Sequence, residues 1–151
     1  MPIVKATLME RRTFLRSSCN ACLLLATGMI MPALSGCGPG AYQVFQTEIK
    51  DNQVNVPADA FAKGPLVLVR PKGWYYSIAL RKKDDGSYYA LLLKCTHQDN
   101  QLTAASDGYT CSLHGSAFNS DGKVIKGPAE RALKTYPVTT ENNFILINTK
   151  A

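Results

Sequence analysis

Two short segments, Cys95-Thr96-His97 and Cys111-Ser112-Leu113-His114, each carry one thiol and one imidazole, and residues 98–110 separate them. Four metal-binding donors on two loop-length pieces act together only if the chain sets two loop tips side by side on a rigid scaffold. Such a set serves a tetrahedral zinc ion, or a two-iron cluster with sulfur on one metal and nitrogen on the other. Structural zinc motifs usually pair Cys with Cys and His with His at short spacing, whereas each arm here is mixed.

Gly115 and Ser116 complete the second arm as Cys-x-x-His-Gly-Ser, and Asp121-Gly122-Lys123-Val124 and Gly127-Pro128-Ala129 follow it. On these motifs the chain resembles Rieske proteins over about residues 42–148. The resemblance implies an all-β fold, a Rieske-like antiparallel β-sandwich with a small cluster-binding subdomain at about 95–129, and one [2Fe–2S] cluster per chain. It also implies that Cys95 and Cys111 hold a buried iron, and that His97 and His114 hold the outer iron with their rings at the surface. Gly127-Pro128-Ala129 would be a third loop over the cluster. With neutral imidazoles in place of two thiolates, such a cluster is less negative and accepts an electron more readily than an all-Cys one.

The same resemblance bears on tuning. High-potential relatives aim two hydroxyls at the cluster; Ser116 stands at the first position and Phe118 replaces the second. A Cys pair that bridges the two loops in some relatives is Asn100 and Leu113 here, so that disulfide is absent. A midpoint potential inside the Rieske range of roughly −150 to +300 mV, below its upper group, is expected. Leu113 and Phe118 are expected to shield the cluster from water.

Residues 1–36 read as targeting sequence. Glu10-Arg11-Arg12-Thr13-Phe14-Leu15-Arg16 resembles a twin-arginine export signal, and an uncharged stretch runs from Ser17 to Ser35. That route carries folded proteins, which suits a cluster assembled before export. Leu34-Ser35-Gly36-Cys37 resembles a bacterial lipobox, which would make lipidated Cys37 the mature N-terminus and 37–41 a short tether to a domain at 42–150. Acyl chains contribute about 0.8 kcal/mol per buried CH₂, so two or three of them anchor a protein durably. The alternative is that 17–35 stays as a spanning anchor, although Asn20, Thr27, Gly28 and Pro32 interrupt it. Of the five cysteines, Cys19 and Cys22 then leave with the leader, Cys37 takes lipid, and Cys95 and Cys111 take metal.

Removing the leader's four bases (Lys5, Arg11, Arg12, Arg16) and one acid (Glu10) from the chain's 17 basic and 11 acidic residues leaves 13 and 10. The net charge becomes +3, against +6 for the whole chain. With no basic stripe interleaved with aromatics, nucleic acid is not an expected partner. Arg81-Lys82-Lys83 beside Asp84-Asp85 reads as a solvated hairpin end, with a docking patch for an acidic partner as the alternative. Strands are expected over 42–50, 53–56, 65–70, 75–81, 87–94, 109–112, 133–139 and 144–148, with a hairpin turn at Asp85-Gly86 and a helical turn at 57–63 capped by Asp59.

The function implied is a membrane-anchored one-electron carrier on the periplasmic face of a bacterial membrane. It would run between a quinol-oxidising or other membrane donor and an acceptor such as a cytochrome. No Gly-rich nucleotide loop or paired carboxylates accompany the motif, so no complete catalytic site is expected. The rival is the small subunit of a periplasmic oxidoreductase such as a molybdenum enzyme. A soluble dioxygenase ferredoxin fits the second arm but not the leader, and from another class stands a lipoprotein with structural zinc.

Overall fold

The computed structural model describes residues 42–105 and 107–150, so the expected leader, the tether and Cys37 lie outside the described residues. Among them no helix is long and apolar enough to cross a membrane.

Among the described residues twelve strands follow one another: β1 (Gln43–Thr47), β2 (Gln53–Pro57), β3 (Leu66–Pro71), β4 (Ile78–Lys82), β5 (Tyr88–Leu92), β6 (Thr103–Ala104), β7 (Gly108–Thr110), β8 (Ala117–Asn119), β9 (Val124–Lys126), β10 (Thr135–Tyr136), β11 (Val138–Glu141) and β12 (Phe144–Asn148). They form a five-stranded sheet in the order β1-β3-β4-β5-β10, a three-stranded sheet β11-β12-β2 and a four-stranded sheet β6-β7-β8-β9. The all-β expectation holds. One pairing departs from an antiparallel sandwich, since β1 runs parallel to β3, with Val44 opposite Leu68.

The five-stranded sheet is buried on both faces, which is why β3 and β4 read Leu-Val-Leu-Val and Ile-Ala-Leu without polar alternation. Val67, Val69, Ile78, Leu80 and Ala90 point one way and pack with Val54, Val56, Ile145 and Ile147 of the three-stranded sheet. Leu66, Leu68, Ala79 and Leu91 point the other way and pack with Tyr109 and Phe118 of the four-stranded sheet and with Cys111 of the loop between them. The Cys and His segments thus rest on the second face of a sheet whose first face carries its own core.

Turn chemistry sets the hairpins. Asn142 and Asn143 both have positive φ (45° and 67°), the conformation a two-residue turn needs between Glu141 and Phe144. Asp51 and Asn52 (φ 51° and 60°) do the same between Lys50 and Gln53. At Asp85-Gly86 the Asp85 carboxylate accepts from the Ser87 N–H at 2.8 Å and hydroxyl at 2.6 Å, and Gly86 takes φ 83°. The helical turn is a 3-10 turn, Ala58–Phe61, whose N-cap is Pro57 with no side-chain cap, so Asp59 lies in its first turn and does not cap it. Pro137, lacking an N–H for the ladder, divides the expected strand 133–139 into β10 and β11.

Arg81 is not part of a solvated hairpin end. It is 7% exposed, donates from Nε to the Tyr109 hydroxyl at 2.9 Å and from its guanidinium to the Ala105 carbonyl at 3.1 Å, and so ties β4 to β7. Lys82 and Lys83 beside it are exposed.

Gly108 starts β7 against β8, where a Cβ would strike the Phe118 carbonyl oxygen, itself fixed in the ladder. Gly108→Ala is therefore expected to lower unfolding stability by about 1–3 kcal/mol. Denaturant titration reads this, and wild-type stability would show that the two strands can separate without loss.

Candidate metal centre

Each Cys–His segment is a closed loop. The first leaves β5 after the bridge between Lys94 and Gln101 and is closed by the Cys95 N–H donating to the Asn100 carbonyl at 2.8 Å. The second connects β7 to β8 and is closed by the Cys111 N–H donating to the Ser116 carbonyl at 2.8 Å and by Gly115 N–H to the Cys111 carbonyl at 3.0 Å. Gly115 takes φ 77°, which a side chain would disfavour.

Both thiols are buried within the core beneath the loops, Cys95 1% and Cys111 3% exposed, and both are free. The Asn100 side-chain amide donates to the Cys111 sulfur at 3.7 Å and so crosses from one loop to the other. Burial raises the Cys111 pKa, but the Leu113 N–H, the Asn100 amide, the Cys95 thiol and the His114 N–H all bond to its sulfur. They outweigh burial and hold the thiol below its ordinary value. The Cys95 bond also shows that the two sulfurs are neighbours. The His97 and His114 rings meet edge to face with centroids 5.0 Å apart, and both residues are exposed.

The third segment is tied to both loops. Ser116, fully buried, accepts at Oγ from the Ala129 N–H at 3.0 Å, which leaves its own proton for another acceptor. Thr96 Oγ1 donates to the Arg131 carbonyl at 2.6 Å. Phe118 is fully buried in the core under the loops, whereas Leu113, expected as a shield, is 54% exposed beside His114.

Sequence reasoning placed Cys95, His97, Cys111, His114 and Ser116 here; the fold sets Cys95 beside Cys111 and His97 beside His114, and buries Ser116 at the base of the second loop. It missed Asn100, noted only as a missing cysteine, and Thr96, which looked like a spacer. The signal for Asn100 was a side chain with two N–H donors in a ligand-bearing loop.

The donors fall into two pairs, sulfurs inside and imidazoles outside. Among the described residues no three His, Cys, Asp or Glu side chains are gathered as a single ion would need. That division fits a cluster of two irons, one bound through sulfur and one through nitrogen.

A β-sandwich with two linked Cys–His loops defines a class of electron-transfer domain, and the chain belongs to it: residues 45–137 match the Rieske [2Fe–2S] domain. Its cofactor is accordingly a Rieske [2Fe–2S] cluster and its role is electron transfer. Among relatives, the cytochrome b6-f complex iron-sulfur subunit 1 of Nostoc sp. is 32% identical over 126 residues, 78% of this chain and 67% of that protein. The cyanobacterial plasma membrane Rieske protein PetC3 of Synechocystis PCC 6803 superposes with a TM-score of 0.52 at 31% identity, over 62% of this chain and 97% of that one. Naphthalene 1,2-dioxygenase shares the fold at 22% identity, TM-score 0.54, over 68% of this chain and 27% of its own.

Ser116→Ala removes the only acceptor shown for the buried Ala129 N–H, and about 1–3 kcal/mol of stability should go with it. A melting temperature equal to wild type would show that another acceptor replaces the hydroxyl.

Proposed function

We propose that this chain is a lipid-anchored, periplasmic one-electron carrier in which Cys95 and Cys111 would hold one iron, and His97 and His114 the other. The observation that carries this reading is the pairing of buried, free thiols that neighbour one another through a hydrogen bond with exposed, edge-to-face imidazoles. When bound, the cluster supplies one reversibly exchanged electron.

The chain's own residues set how readily that electron is taken. Hydrogen bonds to a ligand sulfur favour the more electron-rich state and raise the potential. The Asn100 amide and the Leu113 and His114 N–H groups make such bonds to Cys111. Ser116, whose Oγ accepts from Ala129 and keeps its own proton, would direct that hydroxyl at the cluster, and Phe118 supplies none. Burial of both Cys residues under Leu93, Leu102 and Phe118 keeps water from the sulfur side. The exposed imidazoles give a redox partner access.

The twin-arginine leader (1–36) and lipid on Cys37 place the domain at 42–150 against the outer face of a bacterial membrane. Kinship with cytochrome b6-f iron-sulfur subunits supports a quinol-oxidising complex as donor and a cytochrome as acceptor. A membrane setting is supported by similarity to a plasma membrane Rieske protein.

Voltammetry of the holoprotein tests the tuning. The wild-type midpoint should fall inside the range of roughly −150 to +300 mV and below its upper end, and Asn100→Leu should lower it. A midpoint unmoved by that change would mean that the amide does not act on the ligand sulfur. Intact mass of membrane-extracted protein tests the anchor: cleavage before Cys37 with added diacylglycerol is expected, and an unprocessed 1–36 segment would contradict it.

A further inference from the structure

We propose that the cleft beside Cys95 is a docking site for a redox protein with an acidic face, separate from the exposed imidazoles. The inference rests on the electron-carrier reading above. The cleft, about 440 Å³, is lined by Lys94, Cys95, Asp99, Arg131, Lys134 and Tyr136 among others, and neither His97 nor His114 lines it.

Charge identifies the occupant. Asp99 neutralises Lys94 through an ion pair at 2.8 Å. Arg131 and Lys134 are exposed, and among the described residues neither forms an ion pair with a carboxylate. Lys134 Nζ lies 5.1 Å from the centre of the Tyr136 ring, a cation–π contact that places its charge on the cleft wall. Two positive charges without carboxylate partners on a concave wall attract a partner's Asp or Glu side chains, and steer its approach over a Debye length.

Aromatic groups extend the surface. Trp74 packs on Tyr136 with ring centroids 6.3 Å apart and is 37% exposed. Tyr75 is 77% exposed and stands edge-on to Tyr76 at 4.9 Å. Tyr76 in turn donates to the Asp99 carbonyl at 2.7 Å, which fixes this aromatic edge to the ligand loop. Exposed Trp and Tyr beside Arg is the composition found at the centres of protein interfaces.

Position gives the cleft its use. Cys95 borders the cleft with only 1% of its surface exposed, so a partner seated there stands against the loop that carries a proposed iron ligand, and electron transfer falls steeply with distance. Thr96, bonded to the Arg131 carbonyl, keeps this wall and the ligand loop as one piece. As an acceptor, the partner's oxidised one-electron centre gains the single electron that the chain loses, and no proton or bond is exchanged.

The test is stopped-flow oxidation of the reduced holoprotein by acidic plastocyanin and, in parallel, by a basic cytochrome c. At low ionic strength the double variant Arg131→Gln/Lys134→Gln should slow reaction with plastocyanin by about tenfold or more and leave the basic acceptor as fast or faster. Tyr75→Ser should also slow plastocyanin. Unchanged plastocyanin rates in both variants, or equal slowing of both acceptors, would overturn the proposal. The electron paramagnetic resonance spectrum of each variant separates the two claims. An intact cluster signal with charge-insensitive rates defeats docking alone, whereas no cluster signal in the wild type defeats the carrier reading.

Discussion

Two hairpin tips, each closed by a 2.8 Å backbone bond from its own cysteine, meet at the sulfur of Cys111, where the amide of Asn100 crosses between them. The rest of the site depends on that meeting. Closing each loop at its cysteine sends the Cys side chain inward and leaves the His of the same segment at the rim. Because both tips do this, two sulfurs share the interior and two imidazoles share the surface. The site is split in this way into a buried sulfur side and an exposed nitrogen side.

Rigidity comes from the layers beneath. The five-stranded sheet has a core on each face, so the four-stranded sheet that carries the second loop docks on a surface already braced from behind. Arg81 crosses the junction to Tyr109, one residue before the end of β7. Burial of Tyr109 raises its pKa and the Arg81 charge opposes that rise, which marks the pair as an electrostatic contact as well as a packed one. The third segment then locks the open side through Ser116 and Thr96. The ligand loops are exposed at their tips and anchored in the core at their bases, the arrangement a carrier needs to exchange an electron without large reorganisation.

Much of this was legible in the order of residues. The mixed Cys–His arms left zinc and a two-iron cluster both open, and the Cys-x-x-His-Gly-Ser and Gly127-Pro128-Ala129 motifs beside them pointed to the cluster by resemblance, while Val-, Ile- and Leu-rich runs between turn residues named the strands. The shorter strands were not legible: β6, β8 and β9 span two or three residues each, too few for alternation to show. Arg81 misled, because a base beside two lysines and two aspartates reads as surface, and only the fold brings Tyr109 to it. Leu113 is an apolar residue that the tight second loop leaves exposed, a position that its hydrophobicity alone did not indicate. Asn100 was seen only against relatives that carry a cysteine there; its amide bond to sulfur is a relation between two loops, which linear order does not display.

The central claim is that sulfur and nitrogen are segregated between two irons, with His97 and His114 on the outer one. Electron–nuclear double resonance on the reduced, cluster-loaded protein addresses it directly, since the unpaired electron couples to any nitrogen bound to the reduced iron. Two distinct nitrogen couplings of imidazole type are predicted. An iron signal without nitrogen coupling, or protein that carries zinc and no iron, would contradict the account.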